Sequence, residues 1–477
     1  MSATTQEIKG KFIHSAFSSD EKAIHSMDYI LDWTYKKIEQ TAVKVTQVRL
    51  DHLTDWELDI KNGFIRHNTG KFFSMEGIHI ETNFGVKSSW DQPIINQPEI
   101  GFLGIMTKEF NGILHFLIQA KIEPGNINTV QLSPTLQATR SNYTRIHKGK
   151  SPLYLEYFNG EKESSILIDQ FQSEQGARFL KKRNRNIVIE IDSESVIQEY
   201  DNFIWVTLRQ LNELMRKDNL INMDTRTVIS SVFFYLADEI KLDQLFPEIS
   251  QSNSSERGLR SLLKNNDAYL NIGQIISWIT SLKFNYDLSV SSKSLLELEG
   301  WEYDGNTVHH KQEKYFSVIG VDVSIENREV ISWNQPMIKP AQEGILAFII
   351  KKINDTYHFL VQAKVEAGNF DILELAPTVQ CLTGNYRTGL NEYSVPFINE
   401  VLNANEKNIW HRSYQSEEGG RFYHEQNLNL IIEADDTFSL EVPSNYCWMT
   451  LDQLNNFMRF NNYLNIGARS LISLISI

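Results

Sequence analysis

Cysteine is almost absent: 477 residues contain two, Cys381 and Cys447. A disulfide framework is excluded, and a reducing cytosol is the expected compartment, with both thiols buried. No run of about 18 apolar residues occurs, so no membrane span is expected. The opening MSATTQEIKGKFIHSAF has no apolar core of signal-peptide length. There is no GxGxxG after a strand, no GxxxxGK[ST], no HExxH, no GxSxG and no CxxC, so nicotinamide binding, a P-loop and a structural zinc site all lack support. His309-His310 lies in a polar, turn-like segment that offers no metal set. Excess positive charge is missing too. A net charge of −14 argues against a generic nucleic-acid binder and favours solubility. With 22% charged and 41% hydrophobic residues, the chain has the make-up of a folded protein, long enough for two or three domains with separate cores.

What is present is a repeat. Gln119–Tyr143 reads QAKIEPGNINTVQLSPTLQATRSNY, and QAKVEAGNFDILELAPTVQCLTGNY follows from Gln362, an offset of 243 residues. The same offset pairs Trp90 with Trp333, Gln172-Ser173-Glu174 with Gln415-Ser416-Glu417, Arg178 with Arg421, Trp205 with Trp448 and Arg226 with Arg469. Nearer the start of each copy the offset is 245: Trp56 matches Trp301, and Met27, Ile30, Leu31 and Trp33 match Ile272, Ile275, Ile276 and Trp278. The register changes where LDIKNGF is two residues longer than the matching EYDGN turn, a place where length changes are tolerated. The division expected is an N-terminal arm over 1–25, a first copy over 26–247, a Ser/Asn-rich linker over 248–270 and a second copy over 271–477.

Each copy predicts the same local structure. The 3–4 spacing from Met27 to Tyr35 predicts a helix. Alternation from Ile100 to Met106, the Asn111-Gly112 turn and the return run Ile113–Ile122 predict a hairpin ending in Gln-Ala-Lys, with Asn354-Asp355 as its counterpart turn. Residues 186–192 predict a strand. Thr207 and Thr450 are set as N-caps before Leu208, Leu211, Leu214 and Leu451, Leu454, Met458. The last helix of the first copy is expected to run on through Tyr235 and Leu236. Each copy is therefore of mixed α+β type, an antiparallel-rich sheet with flanking helices.

Both copies keep large polar side chains that packing alone rarely requires: Gln119/Gln362, Lys121/Lys364, Glu123/Glu366, Asn126/Asn369, Gln137/Gln380, Asn142/Asn385, Tyr143/Tyr386, Glu174/Glu417 and Arg178/Arg421. Bracing of loop backbones would explain single members; the set, with the paired tryptophans, points to two pockets. The first copy is more basic. Arg140, Arg145, His147, Lys148 and Lys150 follow its signature, and RFLKKRNR supplies Arg178, Lys181, Lys182, Arg183 and Arg185. That concentration suits a multi-anionic ligand such as a diphosphate, although Lys181 and Lys182 fit a solvated face equally well.

The long signature, LEYF (155–158), QSEQGARFLKKRNRN (172–186) and the echoes QAKVEAGN, APTVQ and SEEGGRFY together resemble the nucleotide-diphospho-hexose 2,3-dehydratases of deoxysugar biosynthesis. The resemblance spans nearly the whole chain, duplication included. It implies two tandemly duplicated Nudix-hydrolase-like modules with a mixed sheet and flanking helices, and a likeness to homodimers. The implied substrate is a dTDP-linked 4-keto-6-deoxyhexose, which loses its C2 hydroxyl and becomes a 3,4-diketone, with no metal and no redox cofactor. A downstream 3-ketoreductase would take the product. The glutamate-rich Nudix box is absent. A non-catalytic nucleotide-sugar binder and a Nudix-like hydrolase are the competing readings.

The implied chemistry needs one base, one acid and donors for the C4 oxyanion. The motif positions offer Glu174, Glu123 and Tyr143 for proton transfer, with the division of roles open. Lys121, Thr139, Arg140, Ser141, Asn142, Arg145, Ser173 and Arg178 would hold the substrate, with Arg140 and Arg178 on the diphosphate and Trp56 or Trp90 on thymine. A second, relic pocket would be lined by Trp301, Asn385, Tyr386, Arg387, Ser416, Glu417 and Arg421. Ala367 for Pro124 and Gly384 for Ser141 mark the second copy as the departed one.

Overall fold

A computed structural model describes residues 5–139, 151–232, 268–325, 332–382 and 395–475. The linker up to 267 and the expected helix extension through Leu236 lie outside the described residues. The chain is a mixed α+β fold of two similar sheet-containing halves. Each half contributes a large seven-stranded sheet and four of the five strands of a small one.

The expected hairpin forms as Gly101–Phe110 and Ile113–Ile122, and Asn111 and Gly112 both have positive φ, 51° and 74°. These are the left-handed values that a two-residue turn between twisted strands demands. Asn354 and Asp355 take φ 49° and 66° at the counterpart turn. In the large sheet of the first copy the order runs Ser165–Ser173, Arg183–Ile191, Gly101–Phe110, Ile113–Ile122, Phe203–Thr207. Only the contact between Arg183–Ile191 and Gly101–Phe110 is parallel. Two short strands, Val130–Ser133 and Leu136–Ala138, pair with the far ends of the hairpin. The second copy repeats the pattern with Ile409–Ser416, Gln426–Glu433, Gly344–Ile353, Thr356–Lys364 and Tyr446–Thr450. Thr207 and Thr450 cap Leu208–Met215 and Leu451–Met458 through complete capping boxes with Gln210 and Gln453, each box satisfying two otherwise orphaned N–H groups.

The halves exchange strands. Val43–Val48, which opens the first copy, pairs antiparallel with Phe316–Ile325 of the second. Leu288–Lys293, its equivalent 245 residues on, pairs with Ser74–Thr82 of the first. Loops interlock as well. Gly125 N donates to Gly419 O at 2.8 Å, and His424 N donates back to Gly125 O at 3.0 Å; Gly368 N to Gly176 O (2.6 Å) and Lys181 N to Gly368 O (2.8 Å) form the mirror set. A Cβ on Gly125 would overlap the carbonyl oxygen of Phe422, and one on Gly368 that of Phe179. Glycine is needed here because backbone approaches backbone. Gly125→Ala is expected to cost about 1–3 kcal/mol, as overpacking does in a close-packed site, and a lowered thermal midpoint would register it.

Within the expected N-terminal arm, residues 5–16 form a helix that packs on the chain's own core. Ile8, Phe12, Ile13 and Ala16 are buried against the large sheet, a helical stripe hidden in an otherwise polar stretch. Ser15 Oγ donates to Leu114 O at 2.5 Å and accepts from Leu208 N at 2.8 Å. No helix among the described residues is long and apolar enough to cross a membrane.

Candidate active site

Period-two alternation carries Gln119, Lys121 and Glu123 to one face at the end of the return strand. There they open onto a cavity of 1030 Å³. Gln137 and Thr139 approach from the short strand Leu136–Ala138, Glu174, Lys182 and Asn184 from the hairpin end beside it, and Asp224 from the first turn of the helix Met223–Ser230. Trp56 and Phe73 form one wall. The second copy lines the cavity beside them through Trp333, Gln335, Glu418 and Arg421.

The polar groups are tied to each other. Asn184 Nδ2 donates to Glu174 Oε1 at 2.5 Å, while its Oδ1 accepts from Gly101 N at 3.2 Å. Gln137 Nε2 donates to Glu123 Oε1 at 2.9 Å, and Lys121 Nζ lies 3.2 Å from the same oxygen. The N-cap Asn222 completes that chain by donating to Gln137 Oε1 at 3.2 Å. Lys182 Nζ donates to Glu99 O. Arg421 lies flat on Phe73, 4.0 Å from the ring centroid, and donates to Gln97 Oε1 at 3.3 Å. Trp56 Nε1 is fixed on Asn334 O at 2.9 Å. Among the residues lining the cavity, three carboxylate oxygens are buried without a hydrogen-bond partner: Glu123 Oε2, Asp224 Oδ1 and Glu418 Oε2.

Burial dominates the protonation of these groups. It raises Glu174, with Lys182, Arg469 and the Asn184 amide pulling the other way. It pushes Glu418 to about 7, helped by Glu123 and opposed by Arg421. It holds Asp224 well above the carboxylate range, and Glu174, Glu418 and Glu123 push in the same direction. Burial lowers Lys182 to about 8 against the pull of Glu174.

The structure brings Glu174, Glu123, Lys121, Thr139 and Trp56 together as the sequence suggested, and redistributes the rest. Arg178 does not join them. The loop carrying it reaches across the interlock, so its guanidinium stacks on Phe316 of the second copy at 4.2 Å and faces Glu425, Glu366 and Glu417. Arg421, expected in the second pocket, makes the reciprocal crossing into the first. Trp90 packs against the cluster of Ile78, Ile80, Ile94 and Ala367 and donates to Gln92, away from the cavity that its partner Trp333 lines. Ser173 Oγ donates to Glu374 Oε2 at 2.7 Å, and Ser416 Oγ to Gln131 Oε1 at 2.9 Å; both hold the copies together. Trp301 donates to Asp91 O at 2.8 Å within the second small sheet, beside Phe316. Glu417 accepts from Asn427 and Gln175. Arg140, Ser141, Asn142, Tyr143, Arg145, Asn385, Tyr386 and Arg387 lie outside the described residues.

Asn184, Asp224, Glu418 and Trp333 were not singled out from sequence as site residues, and Lys182 only as one member of the basic run. Three of them sit where the copies differ: Lys182 answers to Glu425, Asp224 to Gly467 and Glu418 to Gln175. Their signal was divergence between copies, the opposite of the shared set.

Comparison with known proteins bears on this arrangement. The model of the NDP-hexose 2,3-dehydratase family matches residues 27–232 and again 272–475. This chain belongs to that family. It is 41% identical over 465 residues to the dTDP-4-dehydro-6-deoxy-alpha-D-glucopyranose 2,3-dehydratase of Saccharopolyspora spinosa, covering 97% of this chain and 94% of that protein. Proteins of the same name from Streptomyces violaceoruber (40% over 435 residues, 91% and 93% covered) and Amycolatopsis orientalis (36% over 467 residues, 97% and 92% covered) are similar along their lengths too. Both family segments contribute to the cavity, which is one reason the repeat cannot be separated from the site.

Proposed function

We propose that this chain is a dTDP-4-keto-6-deoxyglucose 2,3-dehydratase whose working site is the cavity of the first copy. The observation that carries the reading is the enclosure there of Glu174, Glu123 and Asp224 with Lys121, Lys182 and Arg421, in a chain matched end to end by 2,3-dehydratases. The C4 ketone acidifies the C3 hydrogen. Glu174 removes it, raised by burial towards the pH at which a base is both ionised and strong, yet kept ionisable by Lys182, Arg469 and Asn184. Lys182 and Lys121 face the same space and supply charge for the oxygen that becomes an enolate. Glu123, held by Lys121 and Gln137, and Tyr143 remain the other proton-transfer candidates. The C2–O bond then breaks, and the enol formed becomes the 3,4-diketone.

Arg421, preset on Phe73, takes the diphosphate role that Arg178 had been expected to share with Arg140, and Trp56 with Trp333 offers flat surfaces for the base. Arg421→Ala is expected to raise KM about 10- to 100-fold, the worth of a charge-assisted hydrogen bond of about 1.5–3 kcal/mol. Arg178→Ala should leave KM near the wild-type value. Steady-state kinetics on both variants check this, and equal effects would count against the crossed assignment.

The finer reading follows the family. The two halves, 26–247 and 271–477, are Nudix-like modules, the second retaining a nucleotide pocket beside Trp301, Glu417 and Arg178. The chain works as a cytoplasmic homodimer and passes an unstable product to a 3-ketoreductase. The test is incubation of the pure protein with dTDP-4-keto-6-deoxyglucose and EDTA, with excess 3-ketoreductase and NADPH as a trap and mass spectrometry of the nucleotide sugar. A trapped product lacking one oxygen is expected. Unchanged substrate would favour a binding protein, and dTMP released only with added magnesium would favour a hydrolase.

A further inference from the structure

The two copies frame comparable polar clusters, so the places where they diverge say what one cluster does and the other does not. Glu123, Gln137, Asn222 and Lys121 have counterparts in Glu366, Gln380, Asn465 and Lys364, linked by the same hydrogen bonds: Gln380 Nε2 to Glu366 Oε1 at 3.2 Å and Asn465 Nδ2 to Gln380 Oε1 at 2.8 Å. Glu174 with Asn184 has its counterpart in Glu417 with Asn427. The frame is conserved between copies. Within it, Asp224 stands where the second copy has Gly467.

Asp224 is 2% exposed and lines the cavity, and its Oδ1 has no hydrogen-bond partner. It has no structural task that the fold requires, because the second copy forms the same helix start with glycine: Asn222 and Asn465 cap the two helices identically. A buried carboxyl oxygen left unpaired costs free energy. With no counterpart in the sister cluster, this one points to a role in the chemistry.

We infer that Asp224 is the proton donor to the departing C2 hydroxyl. This role rests on the dehydratase reading. Glu174 takes the C3 hydrogen as H⁺, the C3–H electrons form the C4 enolate, and its collapse back to the C4 ketone makes the C2=C3 bond. The C2–O bond breaks as the Asp224 carboxyl proton passes to that oxygen, which leaves as water, and Asp224 becomes a carboxylate. The enol then tautomerises, C2 gaining a proton and the C3 hydroxyl losing one, so that both carboxyl groups return to their starting states. The surroundings suit a donor: Glu174, Glu418 and Glu123 face Asp224, Lys121 and Arg226 are the opposing cations, and burial with these anions raises its carboxyl well above the usual carboxylate range. Glu418 suits the role less well, since Gly420 N donates to its Oε1 at 2.9 Å and Arg421 favours its ionised form.

The experiment separates the two halves of the reaction. Asp224→Asn, and Asp224→Gly as the residue found in the second copy, are incubated with dTDP-4-keto-6-deoxyglucose in D2O. Deoxygenation is followed by the reductive trap and deuterium at C3 by mass spectrometry, with thermal melting as the control for folding. Deoxygenation is expected to fall about 10²–10⁴-fold, the usual worth of a positioned acid, while C3-labelled substrate accumulates. Glu174→Gln should lose both signals. Wild-type deoxygenation in either Asp224 variant overturns the role. So does loss of C3 exchange together with deoxygenation in a chain that melts like the wild type. A wild-type chain that turns over no substrate removes the dehydratase reading itself, and this role with it.

Discussion

Glu174→Gln is expected to lower deoxygenation by about 10²–10⁴-fold, the loss of a positioned general base, whereas Glu417→Gln should leave it close to wild type. The two carboxylates occupy equivalent loops and each accepts an asparagine amide. Their surroundings differ in charge. Glu174 sees Lys182 and Arg469. Glu417 sees Glu425 in place of the lysine and is pushed to about 8 by burial and that neighbour, against Arg226, Gln175 and Asn427. Near neutral pH Glu417 is therefore protonated and already hydrogen-bonded on both sides, a poor base even if substrate reached it. The trapped-product assay on both variants decides the matter. A large loss in Glu417→Gln with normal melting would place the chemistry in the second copy and reverse the assignment.

Most of the fold was legible because its signals are local. The Asn111-Gly112 turn, the Thr207 and Thr450 caps and the helix from Met27 each depend on residues a few positions apart. The exchange of Val43–Val48 and Leu288–Lys293 could not be read that way. In a duplicated chain each strand fits either of two near-equivalent sheets, and local pattern cannot choose between them. The same degeneracy misled the placement of Arg178 and Arg421. Their loops interlock through Gly125 and Gly368, so each arginine stacks on a phenylalanine of the other copy. The basic run RFLKKRNR looked like one anion site because sequence does not show pleat and loop geometry. In the structure it disperses: Lys182 turns into the cavity, Arg185 pairs with Asp169 at 2.7 Å on the surface, and Arg183 stacks on Phe171 and Phe370. Glu123 and Glu174 are legible because both copies keep them at matched positions, whereas Asp224 and Glu418 stand where the copies differ.

Arg226 and Arg469 make the largest stability prediction. They are 1% exposed and lie on the helices Met223–Ser230 and Ile466–Ser473, which pack together across the two copies. Arg226 donates to Ile221 O and Ser416 O, both at 2.6 Å, and through Nε to Ser470 Oγ at 2.9 Å. Arg469 answers through Leu464 O and Ser173 O, both at 2.5 Å, and Thr227 Oγ1 at 2.9 Å. Burial lowers both guanidinium groups to about 10, so they remain charged at neutral pH. Replacing either by Met fills much of the volume but strands two carbonyl oxygens and removes that charge. The expected cost is about 3–5 kcal/mol per site, as for a broken buried pair, and a fall in the thermal midpoint on the order of 5 °C. The two sites share the helix interface and reach the loops that carry Glu174 and Glu417, so the double variant should depart from additivity by about 0.5–3 kcal/mol. Strict additivity, or single costs below about 1 kcal/mol, a level typical of exposed pairs, would mean that the copies are held by strand exchange alone. The coupled outcome would mean that the arginines lock the two halves together, so that the walls of the cavity, drawn from both copies, keep one fixed spacing.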